Sequence, residues 1–362
     1  MSDPRPVLFV TNHAPGYRVP AFARLAEQEG VEYALIGGDV RHGGGGTGDA
    51  AAGLPARAVA ERDVLGLAAS GRYRAVVAGL SGRVALPAAY LGARRGRVPF
   101  VLWATIWRHP RTPAHALSYL PLRHIYRDAD AIVTYGPHVS AYVRRQGARA
   151  PVFEAAQAVD GAFWSRAAEP DRRAPFQALF VGRVTREKGV HVLLTAWRES
   201  GLFAQHATLV LVGGGRFRAP AAATSVVAAG PREPAELRNF YAGSDVLVLP
   251  SIPTRDFLEP WGLVVNEAFD QGVPVIATDA VGAAAGGLVQ HERTGLVVPA
   301  GDAGTLARAL RRLHDDPALR RRLGAAARTA VGAYTFEAWA AGMSRGLAAV
   351  GVSRRPEGAL LA

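Results

Sequence analysis

Short apolar runs alternate with amphipathic segments along the whole chain. Strands are predicted at Pro6–Val10, Val31–Ile36, Ala75–Ala78, Phe100–Trp103, Val152–Phe153, Ala178–Gly182, Thr208–Val212, Ser225–Ala229, Val246–Pro250, Val275–Thr278 and Gly295–Pro299. Helical patterns cover Val19–Glu29, Leu86–Arg95, Val190–Trp197, Pro234–Ala242, Leu306–Leu313, Ala318–Tyr334 and Phe336–Val350. Loops are predicted at Ala104–His115 and at the glycine-rich segment Val281–Gly287. Strands that alternate with helices are typical of parallel sheets, so the pattern predicts an α/β fold.

The pattern also predicts two similar halves. A polar connector, Ala167–Pro175, places the domain boundary near residue 170, giving domains 1–170 and 171–334. The segments DADAIVTYG and GSDVLVLPS each enter a strand from an acidic turn, so Asp128 and Asp130 are interpreted as structural rather than as metal ligands. In the last helix, at about 335–350, the apolar spacing predicts one face packed on a core.

Composition narrows the class of protein. Among the 362 residues there is no apolar run of 18 or more, no signal-peptide pattern at the N-terminus and no cysteine, which fits a cytoplasmic protein. The net charge is +12, and Lys188 is the only lysine. The arginines are scattered without interleaved aromatic residues, which argues against nucleic acid and favours phosphate-bearing ligands or an anionic membrane surface.

A membrane partner is suggested by the first half in particular. Residues 1–170 hold 20 arginines against 13 acidic residues, a net charge of +7. We therefore expect peripheral contact with an anionic membrane, at the inner membrane face. The segment Arg41–Asp49, with four consecutive glycines and no following helix, is predicted to be a flexible linker rather than a phosphate-binding loop.

The stretch Pro253–Pro274 carries two carboxylates, Glu259 and Glu267. A short helix is predicted from Leu263, with Pro260 suited to a first helical turn and Gly262 to a close backbone approach. A helix N-terminus attracts phosphate, whereas carboxylates suit hydroxyl groups, so together they match a nucleotide sugar. The alternative is a surface helix whose acidic residues merely complement its dipole.

Further candidate residues follow other predicted strands. Arg183 and Lys188 share one loop after a strand, where an arginine and an ammonium group suit a diphosphate, although an exposed basic turn is the alternative. Gly230 ends a strand where backbone could face a nucleobase. In the first half, the loop containing Gly16 lacks G-x-G-x-x-G, and His109 is a candidate substrate contact that could equally be an exposed or capping histidine.

Five segments in order, FVGRVTREKG, LVLVGGG, SDVLVLPS, EPWGLVVNEAFDQGVPVIATD and RTGLVVPAGD, resemble the retaining glycosyltransferases of family 4. The resemblance is strongest over residues 178–315. It implies a GT-B fold, in which two Rossmann-like domains face each other across a cleft and the last helix crosses back to the first domain. It also implies a nucleotide-sugar donor held by the second domain and an acceptor held by the first.

The resemblance implies roles for individual residues. Arg183 and Lys188 would hold the donor diphosphate, Glu259 would contact the donor sugar near the reacting centre, and Glu267 would bind the ribose hydroxyls. Donor-binding roles are also implied for the backbone at three further positions and for one loop of the first domain: Gly230, Gly262, Leu263 and Gly16. His109 follows the strand where relatives often place a sugar-contacting histidine, although the local sequence departs from their pattern.

The resemblance further implies retention of anomeric configuration without a metal or cofactor, because cationic side chains neutralise the leaving diphosphate. The donor sugar, the nucleobase and the acceptor stay open, and the acceptor could be a glycan, a lipid-linked precursor or a secondary-metabolite aglycone. Two other functions also remain open at this stage. One is a nucleotide-sugar epimerase or hydrolase of the same fold, and the other is a binding protein without catalysis.

Overall fold

The computed structural model describes residues 3–37, 53–80, 82, 84–215 and 225–354. The predicted linker Arg41–Asp49 lies outside the described residues. The chain divides into two compact units, one formed by the residues up to Ala158 and again from Thr335 onwards, the other by Val159–Tyr334. No helix among the described residues is long and apolar enough to cross a membrane.

The first unit contains a parallel sheet of seven described strands. They are β1 (Val7–Thr11), β2 (Val31–Leu35), β3 (Ala56–Ala58), β4 (Ala75–Gly79), β5 (Phe100–Ala104), β6 (Ala131–Thr134) and β7 (Val152–Glu154), in the spatial order β3-β2-β1-β4-β5-β6-β7. Its helices are α1 (Val19–Glu29), α2 (Val64–Ala68), α3 (Ala85–Gly96), α4 (Pro113–Asp128) and α5 (Pro137–Arg145), with 3₁₀ turns at Gly16–Arg18 and Glu61–Asp63. Since β1 and β4 are neighbours, the sheet has a Rossmann-like order.

The second unit repeats this plan with six described strands. They are β8 (Phe176–Val181), β9 (Ala207–Val212), β10 (Val226–Gly230), β11 (Val246–Leu249), β12 (Val275–Thr278) and β13 (Gly295–Val298), in the order β10-β9-β8-β11-β12-β13, all parallel. Its helices are α6 (Gly161–Trp164), α7 (Val190–Ser200), α8 (Pro234–Ala242), α9 (Val264–Asp270), α10 (Gly282–Ala285), α11 (Ala303–Asp315) and α12 (Pro317–Val331), with a 3₁₀ turn at Leu202–Gln205.

The last helix, α13 (Phe336–Ala348), packs on the first sheet, as predicted. Trp339 and Met343 are 2% and 1% exposed, whereas Phe336 is only half-buried. The Trp339 ring lies 5.6 Å from that of Phe22 and 5.9 Å from that of Trp103. Such aromatic pairs add about 0.5–1.5 kcal/mol each beyond the area they bury, so they help to hold α13 on this unit.

The two halves use their acidic turns in the same way. Asp130 accepts a hydrogen bond from the Phe100 backbone N–H at 2.7 Å and pairs with Arg94 at 2.7 Å. Asp245 accepts from the Gln177 backbone N–H at 2.8 Å and pairs with Arg172 at 2.8 Å. Each carboxylate therefore joins its own strand to the start of a neighbouring strand, which supports the structural interpretation of these residues.

Three local predictions need correction. Helix α9 begins at Val264, so Pro260 lies in the preceding turn and not in the first helical turn. The segment predicted as a glycine-rich loop, Val281–Gly287, contains the short helix α10, because its alanines supply helix-forming positions between the glycines. The loop predicted at Ala104–His115 ends earlier, because Thr112 caps helix α4 by accepting from the His115 N–H.

Candidate active site

The candidate site lies at the point where the strand order of the second sheet reverses. Strands β8 and β11 are central neighbours, and the chain continues from β8 towards one edge and from β11 towards the other. In open parallel sheets, the carboxyl ends of two such strands leave a crevice that binds ligands. The loop Gly182–Gly189 follows β8, and Ser251 follows β11, so both enter this crevice.

Two charged residues meet in the crevice. The Lys188 ammonium lies 2.5 Å from the Glu259 carboxylate, with side chains 17% and 7% exposed respectively. The Ser251 hydroxyl, which is fully buried, donates to the same carboxylate oxygen at 3.0 Å. Lys188 also lies over the Phe257 ring, 5.3 Å from its centroid. The only lysine of the chain is therefore held beside a largely buried carboxylate at the switch point of the sheet.

Close packing of the backbone places Lys188 there. The next residue, Gly189, has φ +71°, and a Cβ at this position would lie 1.8 Å from the Pro250 carbonyl oxygen. The Ile252 N–H donates to the Glu187 carbonyl at 3.0 Å and joins the two loops a second time. Glycine is therefore required where the loop after β8 crosses the end of β11.

Glu259 is held by its backbone as well as by its side chain. It forms a parallel bridge with Val281, and its carbonyl accepts from the Gly282 N–H at 3.0 Å. Gly262, with φ +97°, would bring a Cβ within 2.6 Å of the Leu249 side chain. The close approach predicted for Gly262 is therefore made to the core of the second unit, and it tightens the turn that carries Glu259 into helix α9.

Glu267 lies in α9 and contacts a different helix. Its carboxylate accepts a hydrogen bond from the Tyr241 hydroxyl at 2.7 Å. Burial raises the pKa of Glu267 to about 7, with the nearby Asp270 carboxylate adding to the effect and the Tyr241 hydroxyl opposing it. Although Glu267 is only half-buried, the surrounding protein removes much of the hydration that its charged form needs.

The other predicted residues of this unit are not part of the Lys188–Glu259 contact. Arg183 is paired with Glu187 at 3.3 Å and is 51% exposed, so the two basic residues of the loop have different acidic partners. Leu263 is the half-buried residue that precedes α9. Gly230 ends β10 with φ +74° and open space around the position of a Cβ, and its carbonyl accepts from the Gly213 N–H at 2.9 Å.

Gly16 and His109 belong to the first unit. Gly16 begins the exposed 3₁₀ turn after β1, again with open space around it. The His109 Nε2 lies 2.7 Å from the His115 carbonyl oxygen, so Nε2 carries the proton in this contact. The other ring nitrogen, Nδ1, is buried and has no hydrogen-bond partner among the described residues. His109 is thus held by the start of α4.

Residue-type reasoning did not single out Ser251, Tyr241 or Glu187. Ser251 ends the segment SDVLVLPS, so its position directly after a strand was a usable signal. Glu187 lies four residues after Arg183, the spacing of an ion pair on one helical turn. Tyr241 lies 26 residues from Glu267, and no pattern in the sequence indicates that they meet.

The chain is similar to several known proteins. Residues 175–316 match the family model described as Glycosyl transferases group 1. The chain is 30% identical over 271 residues to the lipopolysaccharide core biosynthesis glycosyltransferase LpsD of Rhizobium meliloti, covering 68% of this chain and 76% of that one. It is 33% identical over 180 residues to a glycogen synthase of Mycobacterium tuberculosis, covering 47% of this chain and 41% of the relative. This chain therefore spans about two fifths of that relative.

Solved structures share the fold. Anabaena HepE, determined in complex with UDP, superposes with a TM-score of 0.73 at 18% identity, covering 95% of this chain and 99% of that one. Sucrose-phosphate synthase from Thermosynechococcus elongatus superposes with a TM-score of 0.70 at 20% identity, covering 94% and 98%. At such identities the likeness concerns the fold alone, and it confirms the predicted GT-B fold class with its two Rossmann-like units.

Proposed function

The chain belongs to the family of group 1 glycosyl transferases, and from this premise we propose that it transfers a sugar from a nucleoside-diphosphate sugar to a hydroxyl acceptor with retention of anomeric configuration. The observation that carries the proposal is the Lys188–Glu259 pair at the switch point of the second sheet. HepE, which shares the fold, was determined with UDP and with UDP-glucose, which supports a nucleotide-sugar donor.

Lys188 is proposed to hold the donor diphosphate. Its ammonium has three N–H donors, and a diphosphate carries more negative charge than the carboxylate that now accepts from it. Donor binding would therefore draw Lys188 from Glu259 towards the phosphates, while Ser251 continues to donate to Glu259. Arg183, half-exposed in the same loop, would supply a second positive charge.

Glu259 is proposed to act on the sugar. As the bond between the anomeric carbon and the diphosphate oxygen breaks, positive charge develops on the sugar ring, and a nearby carboxylate stabilises it. The acceptor oxygen then bonds to the same face of the anomeric carbon, and its proton passes to the leaving diphosphate. This route needs no protein nucleophile, and the cationic side chains would neutralise the leaving group without a metal.

The roles of the remaining candidate residues are proposed from the family resemblance. Glu267 would bind the ribose hydroxyls, with Tyr241 fixing the carboxylate, and the backbone at Gly230, Gly262 and Leu263 would line the donor site. The loop at Gly16 would approach the phosphates. His109 would contact the sugar only after a rearrangement of its loop, because its Nε2 is bonded to the His115 carbonyl and its Nδ1 is buried.

The first experiment is a thermal-shift screen of UDP, GDP, ADP and TDP and of their sugars. We expect at least one nucleoside diphosphate to raise the melting temperature of the wild type, and Lys188→Met to lose this shift. Arg198→Met, on an exposed position of helix α7, is the matched control and should keep it. If Lys188→Met binds the same nucleotide as tightly as the wild type, the proposed donor site is wrong.

The second experiment measures turnover with the identified donor and a panel of glycan, lipid-linked and aglycone acceptors. We expect acceptor-dependent release of the nucleoside diphosphate, and nuclear magnetic resonance of the product should show the anomeric configuration of the donor. Release without any acceptor would indicate a hydrolase, binding without release would indicate a binding protein, and an inverted product would contradict the proposed route.

A further inference from the structure

The first unit carries an unusual run of positive charge. Between Asp63 and Asp128 the sequence contains ten arginines and no aspartate or glutamate. Helix α4 (Pro113–Asp128) and the loop before it belong to this run and add His109, His115 and His124. Two of the ten add little to the surface charge, because Arg74 is buried beside Glu29 and Arg94 pairs with Asp128 and Asp130. The exposed arginines among the described residues attract anionic partners over about a Debye length, or roughly 8 Å at physiological salt.

Helix α4 presents apolar side chains to solvent within this basic region. Leu117 is 84% exposed and Leu120 is 69% exposed. Their spacing of three places them on one side of the helix. The opposite side is held by the unit, because Ile125 and Tyr126 are buried and the Tyr119 hydroxyl donates to the Gln146 side chain at 3.1 Å. The exposure of the two leucines is therefore fixed by how α4 is anchored.

Basic residues precede and follow Leu117 and Leu120 in the sequence. Arg111, Arg123 and Arg127 are exposed, and none of them forms an ion pair with a described carboxylate. Helix α3, which packs against the far end of α4 through Tyr90 and His124 at 3.0 Å, adds Leu91, which is 47% exposed. Exposed leucines with unpaired arginines beside them are typical of helices that lie in a membrane interface.

We propose that α4 docks this protein on an anionic lipid bilayer, with Leu117 and Leu120 inserted at the boundary between headgroups and acyl chains and the arginines contacting lipid phosphates. Neutral protein surfaces would match the leucines but leave the arginines without counter-charges, whereas an anionic bilayer complements both. Such docking would bring the first unit to acceptors that are themselves held in the membrane. The proposal does not depend on which sugar is transferred.

The test is sedimentation of the full chain with vesicles of equal parts phosphatidylglycerol and phosphatidylcholine, compared with pure phosphatidylcholine. We expect binding to the anionic vesicles only, with an affinity that falls as salt rises. Leu117→Ser with Leu120→Ser should weaken binding at least about tenfold. Arg111→Ser with Arg123→Ser should weaken it by about 25-fold, since each arginine near an anionic leaflet contributes about a fivefold factor.

Matched controls come from the second unit. Phe203→Ser removes another exposed apolar side chain, and Arg198→Ser with Arg321→Ser removes two exposed arginines. Both controls should bind vesicles like the wild type, and circular dichroism should show all variants folded. Failure of the wild type to bind anionic vesicles at low salt, or equal losses in controls and α4 variants, would overturn the proposal.

A second copy of the chain is the competing occupant of this surface. Light scattering would reveal it as a wild-type dimer that the leucine variant converts to a monomer, and that result would also overturn the proposal. Titration with nucleoside diphosphate in the absence of vesicles separates this inference from the proposed function. The α4 variants should keep wild-type affinity for the nucleotide, whatever the vesicle result.

Discussion

Replacing Lys188 with methionine should destabilise the second unit, because the largely buried Glu259 carboxylate then loses its ammonium counter-charge. At 2.5 Å and an effective dielectric constant of 20, Coulomb's law gives an attraction of about 6–7 kcal/mol. Removal of both charges from water offsets most of this, so the intact pair contributes little net stability. Breaking one side typically costs about 3–5 kcal/mol, and since Ser251 still donates to Glu259, we expect about 3 kcal/mol.

The converse change, Glu259→Gln, should cost less. The Lys188 side chain is more exposed than that of Glu259, and its ammonium stays close to the Phe257 ring. We expect a loss of about 1 kcal/mol. In the double variant, Lys188→Met with Glu259→Gln, no charge is left unpaired, so the combined loss should be smaller than the sum by about 2 kcal/mol.

Urea unfolding of the wild type, the two single variants and the double variant measures the coupling free energy between Lys188 and Glu259. Titration of the same proteins with the nucleoside diphosphate measures their affinity for it. Lys188→Met should lose at least about tenfold in affinity, as a charge-assisted contact is removed. Glu259→Gln should keep or gain affinity, because the ammonium no longer has a competing carboxylate, while kcat falls by about 10² or more. Additive stabilities would refute the reasoning about the pair, and equal losses of nucleotide affinity would refute the assignment of roles.

Three further predictions test other parts of the site. Because burial raises the pKa of Glu267 to about 7, its ionisation disfavours the folded state, and the free energy of unfolding should fall as the pH rises from about 5 to 8. In urea unfolding, Glu267→Gln should remove about 2 kcal/mol of that fall. Gly189→Ala should destabilise the protein by at least about 2 kcal/mol because its Cβ meets the Pro250 carbonyl, whereas Gly201→Ala, at φ +68° with open space, should cost only about 1 kcal/mol in the same assay. Transferase activity should survive EDTA, because cationic side chains neutralise the leaving diphosphate; a loss that Mn²⁺ or Mg²⁺ restores would contradict this.

Local sequence determines much of this protein. Apolar runs of the right length predicted eleven of the described strands, and the acidic turn of DADAIVTYG predicted a twelfth. The signal is strong in the central strands, because a strand buried between two helical layers must be apolar on both faces, although β7 and β10 at the sheet edges are only partly buried. The helix bounded by Pro234 and Ala242 has the predicted ends, since proline, the acidic first turn and the glycine after it act through neighbouring backbone groups. The strand that the patterns did not predict has a weaker local sequence signal. The strand Ala56–Ala58 has three residues, of which two are exposed, so it shows no apolar run.

The candidate site could be predicted only in part from the sequence. Lys188 and Glu259 were recognisable as candidates by residue type and by their positions after predicted strands, but their contact spans 71 residues. It exists because β8 and β11 are neighbours, and strand order is decided by which faces pack together over the whole sheet. The same reason applies to Tyr241 and Glu267, whose contact, and with it the raised pKa of Glu267, depends on how α8 and α9 are packed.

The exposure of α4 also combines a feature that the sequence determines with one that only tertiary packing decides. Sequence determines the charge of this region, because residue types alone give ten arginines without an acidic residue between Asp63 and Asp128. It does not determine which leucines reach solvent, since no helix was predicted over Pro113–Asp128 and the buried face depends on packing against the rest of the unit. Tertiary packing chose that face through Ile125 and Tyr126, and it left Leu117 and Leu120 on the outside because no other described element covers the start of the helix.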